Sequence, residues 1–277
     1  VEDDLLHEVA GGQLWTQGPG VHLRTYGRDA AERERYRLPC GNALRVAVEA
    51  HWCPEVLARA EAAMVARQTT VRHVHYVSGR TWLTPHDGRA DFHDDAEGLA
   101  TVLGPRWRLL LIGATEVTRY LVPIARSLGY AVTVCDPREE YTGAWQEAEN
   151  AEVPLLHDMP DDAVLAFGCD ARTAVIATAH DPKLDDLALM EALRTSAFYV
   201  GALGSSITSS RRRERLRLFD LSEQQVAAFR GPVGIPIGSR SPAEIAVSIA
   251  AELVHLRRLQ SRAESEGQGC SFPAADA

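Results

Sequence analysis

The stretch from Arg106 to Arg138, RWRLLLIGATEVTRYLVPIARSLGYAVTVCDPR, most constrains what this chain can fold into. It contains an apolar run, a glycine turn at Gly113, an amphipathic segment, a second apolar run and an acidic residue, Asp136. This order predicts strand, turn, helix and strand, the outline of a dinucleotide-binding βαβ unit. We therefore predict an α/β chain that contains a Rossmann-like parallel sheet.

The glycine fingerprint of this unit is incomplete. A complete one uses one glycine for the turn, a second to admit the pyrophosphate and a third for close packing of the helix on the strand. Here Gly113 holds the first place, and Thr115 and Thr118 hold the other two. Asp136 follows Gly113 at close to the spacing of about 20 residues expected of a carboxylate that binds a ribose 2′-hydroxyl. The stretch therefore predicts the fold more strongly than it predicts NAD(P) as a redox cofactor.

From Arg106 onward, strand and helix patterns alternate, which is typical of a parallel sheet covered on both faces. Strands are predicted at 109–112, 131–135, 174–178 and 198–202, and helices near 116–128, 185–194, 209–219 and 242–259. These elements define a Rossmann-like domain over residues 106–260. The polar residues 261–277 that follow are expected to form a disordered tail.

The first part of the chain has a different pattern. Residues 21–26 and 44–49 alternate in the manner of strands, and Pro54 opens an amphipathic helix. We therefore expect a small α+β domain over residues 1–80. Residues 81–105 are rich in histidine, aspartate and glycine, and we expect them to form a linker.

Composition limits the partners and the compartment. With a formal charge of -9 the chain lacks the basic face that nucleic acid requires, so we expect no nucleic-acid partner. No apolar run approaches the roughly 20 residues that span a bilayer, so we expect no membrane partner. The five cysteines are widely spaced and form no CxxC pair, which favours a reducing cytoplasm over a disulfide framework.

Cys40 is the first residue with potential chemistry. It lies in the segment LPCG, between Pro39 and Gly41. Proline and glycine are typical of turns, so an accessible thiol is expected, and a thiolate is both a nucleophile and a metal ligand. The alternative is a buried cysteine that acts as a small apolar side chain. Spacing alone leaves both open.

His180 and Asp181 follow a predicted buried strand, in the segment ATAHDPKLDD. Ligands of open α/β sheets lie at the carboxyl ends of the strands, so either side chain could orient a ligand hydroxyl or ring nitrogen. The alternative is a structural role, in which an aspartate caps the next helix and the histidine is an ordinary loop residue.

The segment GALGSS ends another predicted strand and precedes a helix with consecutive arginines. The residues concerned are Gly201, Gly204, Ser205, Arg211 and Arg212. Glycines allow close approach of a ligand, helix amides attract an anion and arginine binds phosphate with two hydrogen bonds. A tight turn before a solvated basic helix would show the same pattern. Because this loop and the Gly113 turn are expected to lie along the same edge of the sheet, we favour a phosphate-bearing ligand.

Taken together, these segments resemble a known family. LPCGNALRVAVEA, LLLIGATEVTRYLVPIARSLGYAVTVCDPR, ATAHDPKLDDLAL, FYVGALGSSITSSRRRERL and PVGIPIGSRSPAEIAVSIAAELV are similar, in the same order, to the XdhC/CoxI family. Members of this family are maturation chaperones for molybdenum hydroxylases such as xanthine dehydrogenase and aldehyde oxidoreductases. The resemblance extends from Val1 to about Arg258.

The resemblance implies a protein that binds the molybdenum cofactor, as molybdopterin or its cytosine dinucleotide form. Such a protein protects the cofactor while a cysteine desulfurase installs its terminal sulfido ligand, and it then delivers the cofactor to a molybdenum hydroxylase client. The resemblance also implies that the protein is a homodimer and that it turns over no substrate of its own. Carried over to this chain, Cys40, beside Gly41, is expected to hold the molybdenum end. The residues expected at the phosphate or dinucleotide end are Gly113, Thr115, Asp136, Arg138, His180, Asp181, Gly201, Gly204, Ser205, Arg211 and Arg212.

Two departures from the family pattern keep other functions open. Family members begin with a strand region and an S-G-G-C segment before the residue that matches Glu2, so the first domain is expected to be truncated at its start. Thr115 and Glu116 stand where the family has a small-residue turn, and Glu116 adds negative charge beside the expected anion site. The alternatives are an NAD(P)-binding oxidoreductase and an inactive truncated paralogue that acts only by partner binding.

Overall fold

The computed structural model of the chain describes residues 1–12, 20–38, 43–86, 92–146 and 152–265. The chain divides into two compact units, one with residues 1–105 and one with residues 106–260. Within the described ranges, none of the helices has the length and apolar character needed to cross a lipid bilayer.

The first unit is α+β. Its elements are α1 (Glu2–Ala10), β1 (Val21–Tyr26), α2 (Ala30–Arg35), β2 (Leu44–Glu49), α3 (Pro54–Val65), β3 (Thr70–His75), β4 (Thr81–Pro85), β5 (Phe92–Asp94) and β6 (Gly98–Leu103). β1 and β2 form an antiparallel pair, and the other strands form an antiparallel sheet in the order β4-β3-β6-β5. α3 packs on β3 and β4, and its Val56 and Ala60 are buried.

Residues 81–105 are not the linker that the sequence predicts. β4, β5 and β6 lie in this segment, and β3 pairs with both β4 and β6. His73 and Trp82 lie opposite each other on β3 and β4, with their rings stacked and the centroids 5.0 Å apart. Strands of an antiparallel sheet need only one apolar face, so such a segment contains many polar residues although it is part of the sheet.

The second unit is a parallel sheet with helices on both faces. Its elements are β7 (Arg108–Ile112), α4 (Glu116–Ser127), β8 (Ala131–Cys135), α5 (Glu139–Gln146), β9 (Leu155–Leu156), α6 (Pro160–Phe167), β10 (Thr173–Ala177), α7 (Pro182–Ala192), β11 (Tyr199–Ala202), α8 (Ser206–Leu216), α9 (Glu223–Ala228), β12 (Phe229–Arg230) and α10 (Pro242–Ser265). The strand order is β12-β11-β10-β7-β8-β9, and all neighbours are parallel. This is the strand order of the Rossmann fold, so the predicted fold class is confirmed.

Alternate residues of β7 belong to two different cores. Leu109 and Leu111 join a cluster with residues of α4 and α10, whereas Leu110 and Ile112 join a cluster with residues of α6 and α7. All four side chains are buried. A strand with both faces covered is apolar throughout, which is why the sequence signal for this strand is continuous and strong.

The predicted strands of this unit coincide with β7, β8, β10 and β11 to within a residue at each end. The sequence does not predict β9 and β12, because a two-residue strand carries no periodic pattern. α10 continues to Ser265, past the predicted start of the tail at residue 261. Residues 266–277 lie outside the described residues, so disorder there stays a prediction.

The loops after β7 and β10 touch at Gly113. This glycine has φ +113°, and a Cβ built on it would lie 2.6 Å from both the Cα and the amide nitrogen of Ala179. The hydroxyl of Thr118 donates to the Gly113 carbonyl at 2.6 Å and lies 2.8 Å from the hydroxyl of Thr178. Thr118, which stands in the place of the third fingerprint glycine, therefore ties α4 to both loops.

We predict that Gly113→Ala strongly destabilises the second unit and that Gly129→Ala does not. Gly129 has φ +86°, but nothing lies within 4 Å of a Cβ there, so alanine costs only the roughly 1–2 kcal/mol of a left-handed residue. At Gly113 the clash with the Ala179 backbone adds roughly 1–3 kcal/mol of overpacking. Urea unfolding of the two variants measures the difference, and equal midpoints would contradict the account of this contact.

Candidate functional site

The carboxyl ends of the parallel strands form the candidate site. β7, the first strand of this unit, lies between β8 and β10, so the chain extends the sheet in opposite directions from this point. Ligands of open α/β sheets bind in the crevice at such a switch point. Gly113 follows β7 and Ala179 and His180 follow β10, so these residues line it from its two sides.

The N-terminus of α4 lies at this switch point. Thr115 is the N-cap of α4, but its side chain makes no hydrogen bond to the amides of the first turn. Its hydroxyl lies 3.3 Å from that of Thr118. Glu116 is mostly exposed and pairs with Arg119 at 3.2 Å. The amides of the first turn are therefore not capped by Thr115, and helix amides in this state favour an anion.

Asp136 directly follows β8 and is fully buried, and both of its carboxylate oxygens accept hydrogen bonds from other groups of the protein. Its Oδ2 accepts hydrogen bonds from the Ala114 amide (2.9 Å) and from Nη2 of Arg138 (2.8 Å). Its Oδ1 accepts from Nε (2.9 Å) and the backbone amide (3.1 Å) of Arg138. The guanidinium of Arg138 lies 4.0 Å from the ring centroid of Tyr141. A ribose hydroxyl could bind Asp136 only if Arg138 moved away, so this geometry opposes the ribose role predicted from spacing.

The sequence predicts the same possible roles for His180 and Asp181, but the structure places the two residues in different environments. Asp181 is the N-cap of α7, and its side chain accepts a hydrogen bond from the Lys183 amide at 2.9 Å. This matches the structural alternative that the sequence left open for an aspartate here. His180 follows β10 at the switch point, where it is exposed and has a left-handed backbone, with φ +57°. The sequence does not signal this backbone, because a positive φ is uncommon for any residue other than glycine.

The glycines and serine of GALGSS have local structural functions. A Cβ on Gly201 would lie 2.5 Å from Cγ1 of Val233, so this glycine permits close packing beside β11. Gly204 has φ +155° and precedes Ser205, the N-cap of α8. The Ser205 hydroxyl accepts a hydrogen bond from the Thr208 amide at 3.1 Å. The first turn of α8 is thus capped by a side chain, unlike that of α4.

Arg212 is a structural residue, which corrects its prediction as a phosphate ligand. Its side chain is 4% exposed; Nη2 lies 2.8 Å from Asp185 and Nε lies 2.9 Å from Asp186. Arg215 also pairs with Asp186, at 2.5 Å. An arginine enclosed by two aspartates has no free face for a phosphate. Arg211, one residue earlier, is exposed, so a phosphate role for it stays a prediction.

Cys40 and Gly41 lie outside the described residues, so their roles stay predictions. The structure does describe two other cysteines, Cys135 and Cys169. Burial raises the pKa of the Cys135 thiol to about 12 and that of the Cys169 thiol to about 11. Both are therefore thiols at neutral pH and poor metal ligands. The described part of the chain contains no group of three or more histidine, cysteine or acidic side chains arranged to hold a metal ion.

Comparison with known proteins identifies the family. Residues 109–253 match the family model described as the XdhC Rossmann domain. The chain belongs to the XdhC family. A solved structure described as a xanthine dehydrogenase from Bacillus halodurans aligns with 95% of this XdhC chain and 82% of its own, with a TM-score of 0.69 and 21% identity. That likeness supports the fold.

Two relatives carry informative names. One, from Bacillus subtilis, is named as a probable xanthine dehydrogenase subunit and is 28% identical over 156 residues, 56% of this XdhC chain and 44% of the relative. The "Molybdenum cofactor insertion chaperone PaoD" of Escherichia coli is 35% identical over 88 residues, 32% of this chain and 28% of the relative. The chain thus spans less than half the length of these curated relatives.

Asp136→Asn tests the pairing of Asp136 with Arg138. Burial alone would raise the pKa of Asp136, but the hydrogen bonds from Arg138 and from the Ala114 amide outweigh it and lower the pKa. The stabilisation is therefore complete above the unfolded pKa of about 3.9 and is lost as pH falls through the lower folded pKa. We expect Asp136→Asn to cost about 3 kcal/mol at pH 7.

In urea unfolding, this loss relative to the parent chain should begin to shrink as pH falls below about 4, where unfolded Asp136 takes up a proton, and should disappear only as pH falls through the lower folded pKa. Asp181→Asn is the matched control, because asparagine caps a helix as well as aspartate does. A loss for Asp136→Asn that stayed constant down to about pH 3 would contradict the ion pair.

Proposed function

We propose that this chain is a molybdenum-cofactor carrier that serves the maturation of a xanthine dehydrogenase-type hydroxylase. The observation that carries the proposal is the match of residues 109–253 to the XdhC Rossmann domain. The names of two relatives, a molybdenum cofactor insertion chaperone and a probable xanthine dehydrogenase subunit, support it. The cofactor is cargo in this proposal, and the chain turns over no substrate of its own.

The switch point of the second unit fits the phosphate end of this cargo. Gly113 has no side chain to block the approach of a phosphate, and Thr115 leaves the first-turn amides of α4 without a side-chain cap. Helix amides in this position bind phosphate through hydrogen bonds and the helix dipole. Glu116 is held by Arg119 and is largely exposed, so its carboxylate need not oppose the anion. The cargo in this proposal is molybdopterin or its cytosine dinucleotide form.

We assign the molybdenum end to Cys40, beside Gly41. A thiolate is a metal ligand, whereas burial raises the pKa of the Cys135 and Cys169 thiols and keeps them protonated at neutral pH. Cys53 is partly exposed but donates a hydrogen bond to Glu55 at 3.2 Å. In the proposed sequence of events the chain holds the cofactor while a cysteine desulfurase installs the sulfido ligand, and then inserts it into the client. A cytoplasmic homodimer is part of the same proposal.

The geometry of Asp136 disfavours the oxidoreductase alternative. Binding of NAD(P) by a Rossmann unit uses a free carboxylate for the ribose, and here Arg138 and two backbone amides occupy the carboxylate. A carrier needs the anion end of the crevice but not this ribose contact. The same scaffold can therefore support phosphate recognition without hydride transfer.

Cys40→Ala should remove the bound metal without unfolding the chain, because the flanking Pro39 and Gly41 predict a turn, where a cysteine side chain would contribute little packing. The chain purified from cofactor-producing cells should contain molybdenum and pterin in stoichiometric amounts, and Cys40→Ala should lose most of both. Cys53→Ala is the matched control and should keep them. Elemental analysis and the fluorescence of the oxidised pterin measure the two contents, and melting temperatures show that each variant is folded.

Two results would overturn parts of this proposal. Equal molybdenum in Cys40→Ala and the parent chain would exclude Cys40 as the ligand. A parent chain without pterin from producing cells would reject the carrier function. Tight NADH binding with hydride transfer would then favour the oxidoreductase.

A further inference from the structure

A cavity opens between α7 and the turn that follows α8, in the second unit. Its volume is about 400 Å³, and pockets that bind small molecules have volumes of about 300–1,000 Å³. Its apolar walls are formed by Pro182, Leu187 and Met190 of α7 and by Phe219. Leu187 and Met190 are three residues apart, so they lie on one face of α7. This face of α7 and the ring of Phe219 together offer an apolar surface to a ligand.

The charged part of the cavity wall is already neutralised. Asp186 and Arg215 both line the cavity, and they pair with each other at 2.5 Å. Asp186 also accepts from Nε of Arg212 at 2.9 Å. A carboxylate held by two arginines does not repel an anion as a free carboxylate would. The wall therefore contains no free negative charge.

Lys183 adds a positive charge that has no partner. Its side chain lines the cavity and the residue is exposed. Within the described part of the chain, no acidic side chain pairs with its ammonium group. The neighbouring aspartates are occupied, because Asp181 caps α7 and Asp185 and Asp186 pair with arginines. A lysine side chain is flexible, so this ammonium group can reach a ligand at the opening of the cavity.

Apolar walls with one unpaired cation fit an anion that has an apolar tail. We propose that this cavity binds a small monocarboxylate with an alkyl or aryl tail. The tail packs against the apolar walls, which supplies most of the affinity, and the carboxylate pairs with Lys183. A small molecule fits better than a protein partner, because a stable protein interface buries roughly 800 Å² on each side. The inference is independent of the proposed function, since Gly113 and Ala179 of the switch point do not line this cavity.

Alkyl carboxylates of increasing length are the first probes. Hexanoate, octanoate and decanoate are titrated onto the full chain by calorimetry, below the concentrations at which they form micelles. Affinity should rise with length, by up to about fourfold for each CH₂ group that is buried. Decyltrimethylammonium, with a similar tail and the opposite charge, is the control and should bind more weakly than decanoate. Equal affinity for the three acids, no binding of decanoate, or equal binding of the control would overturn the inference.

Lys183 gives the site a specific NMR signal, because it is the only lysine in the chain. Reductive methylation with ¹³C-formaldehyde labels its side-chain amine and the α-amine of the N-terminal residue, and both keep their positive charge. The signal that is missing from Lys183→Gln is assigned to Lys183. With decanoate this signal should shift and saturate, whereas the α-amine signal should not. Equal shifts of both signals, or no shift of the Lys183 signal, would contradict binding at this cavity.

Two variants measure the contribution of the charge. Lys183→Gln should bind decanoate about fivefold more weakly than the parent chain, a loss at the upper end for an exposed ion pair. Lys183→Arg keeps the charge and should bind like the parent. Both should melt like the parent, because the side chain is exposed and unpaired. Parent-like affinity in Lys183→Gln would exclude the ion pair and overturn the inference.

A third pair of variants locates the tail. Met190→Trp should fill the cavity and abolish measurable binding of decanoate, whereas Met190→Leu has a similar volume and should keep it. Melting temperatures show whether each variant is folded, and the Lys183 experiments decide the inference if Met190→Trp is not. Unchanged binding in a folded Met190→Trp would place the tail elsewhere and overturn the inference. A concentration-dependent dimer that Met190→Trp disrupts, without decanoate binding to the parent, would instead assign the cavity to an interface between copies and overturn it.

Discussion

The contact between Gly113 and Ala179 is the constraint on which the site depends. It brings the loop after the first strand of the second unit against the loop after the fourth, at the point where the sheet extends in both directions. Any side chain at residue 113 would meet the backbone of Ala179. Because the loops touch, Thr118 can bond to both of them, and α4 begins directly over the crevice. The position of its uncapped amides therefore follows from one missing side chain.

Buried charges give this edge its chemical character. A buried carboxylate is costly unless it is paired and hydrogen-bonded, and here Asp136 and Asp185 both find their partners within the chain. The pairing of Asp136 removes the ribose ligand of a dinucleotide site, and the pairing of Asp185 takes Arg212 away from the surface. The groups that are still available to a ligand are the first-turn amides of α4, which favour an anion. The chain thus keeps the helix terminus that binds phosphate in a Rossmann site but not the free carboxylate that binds ribose. This combination supports a carrier of a phosphate-bearing molecule over a hydride-transfer enzyme.

How far the sequence predicts this molecule depends on burial. Residues 109–112 are all apolar, so both faces of this strand must be buried. In the structure each face packs in a separate hydrophobic core. The sequence does not predict strands β4, β5 and β6. An antiparallel sheet needs only one apolar face, so these strands contain many polar residues and resemble a linker in sequence. The site is harder to predict, because the burial of a charged side chain depends on partners distant in the sequence. Arg211 and Arg212 are adjacent and alike, but consecutive helix residues point about 100° apart, and Arg212 alone of the two meets Asp185 and Asp186.

Transfer of the cofactor tests the central claim most directly. The chain, loaded with the cofactor in producing cells and purified, is mixed with an apo-molybdenum hydroxylase, and recovery of hydroxylase activity is compared with recovery from the same amount of free cofactor. A carrier predicts faster and more complete recovery from the loaded chain, since the bound cofactor is protected until it is inserted. Recovery no better than that from free cofactor would contradict the account.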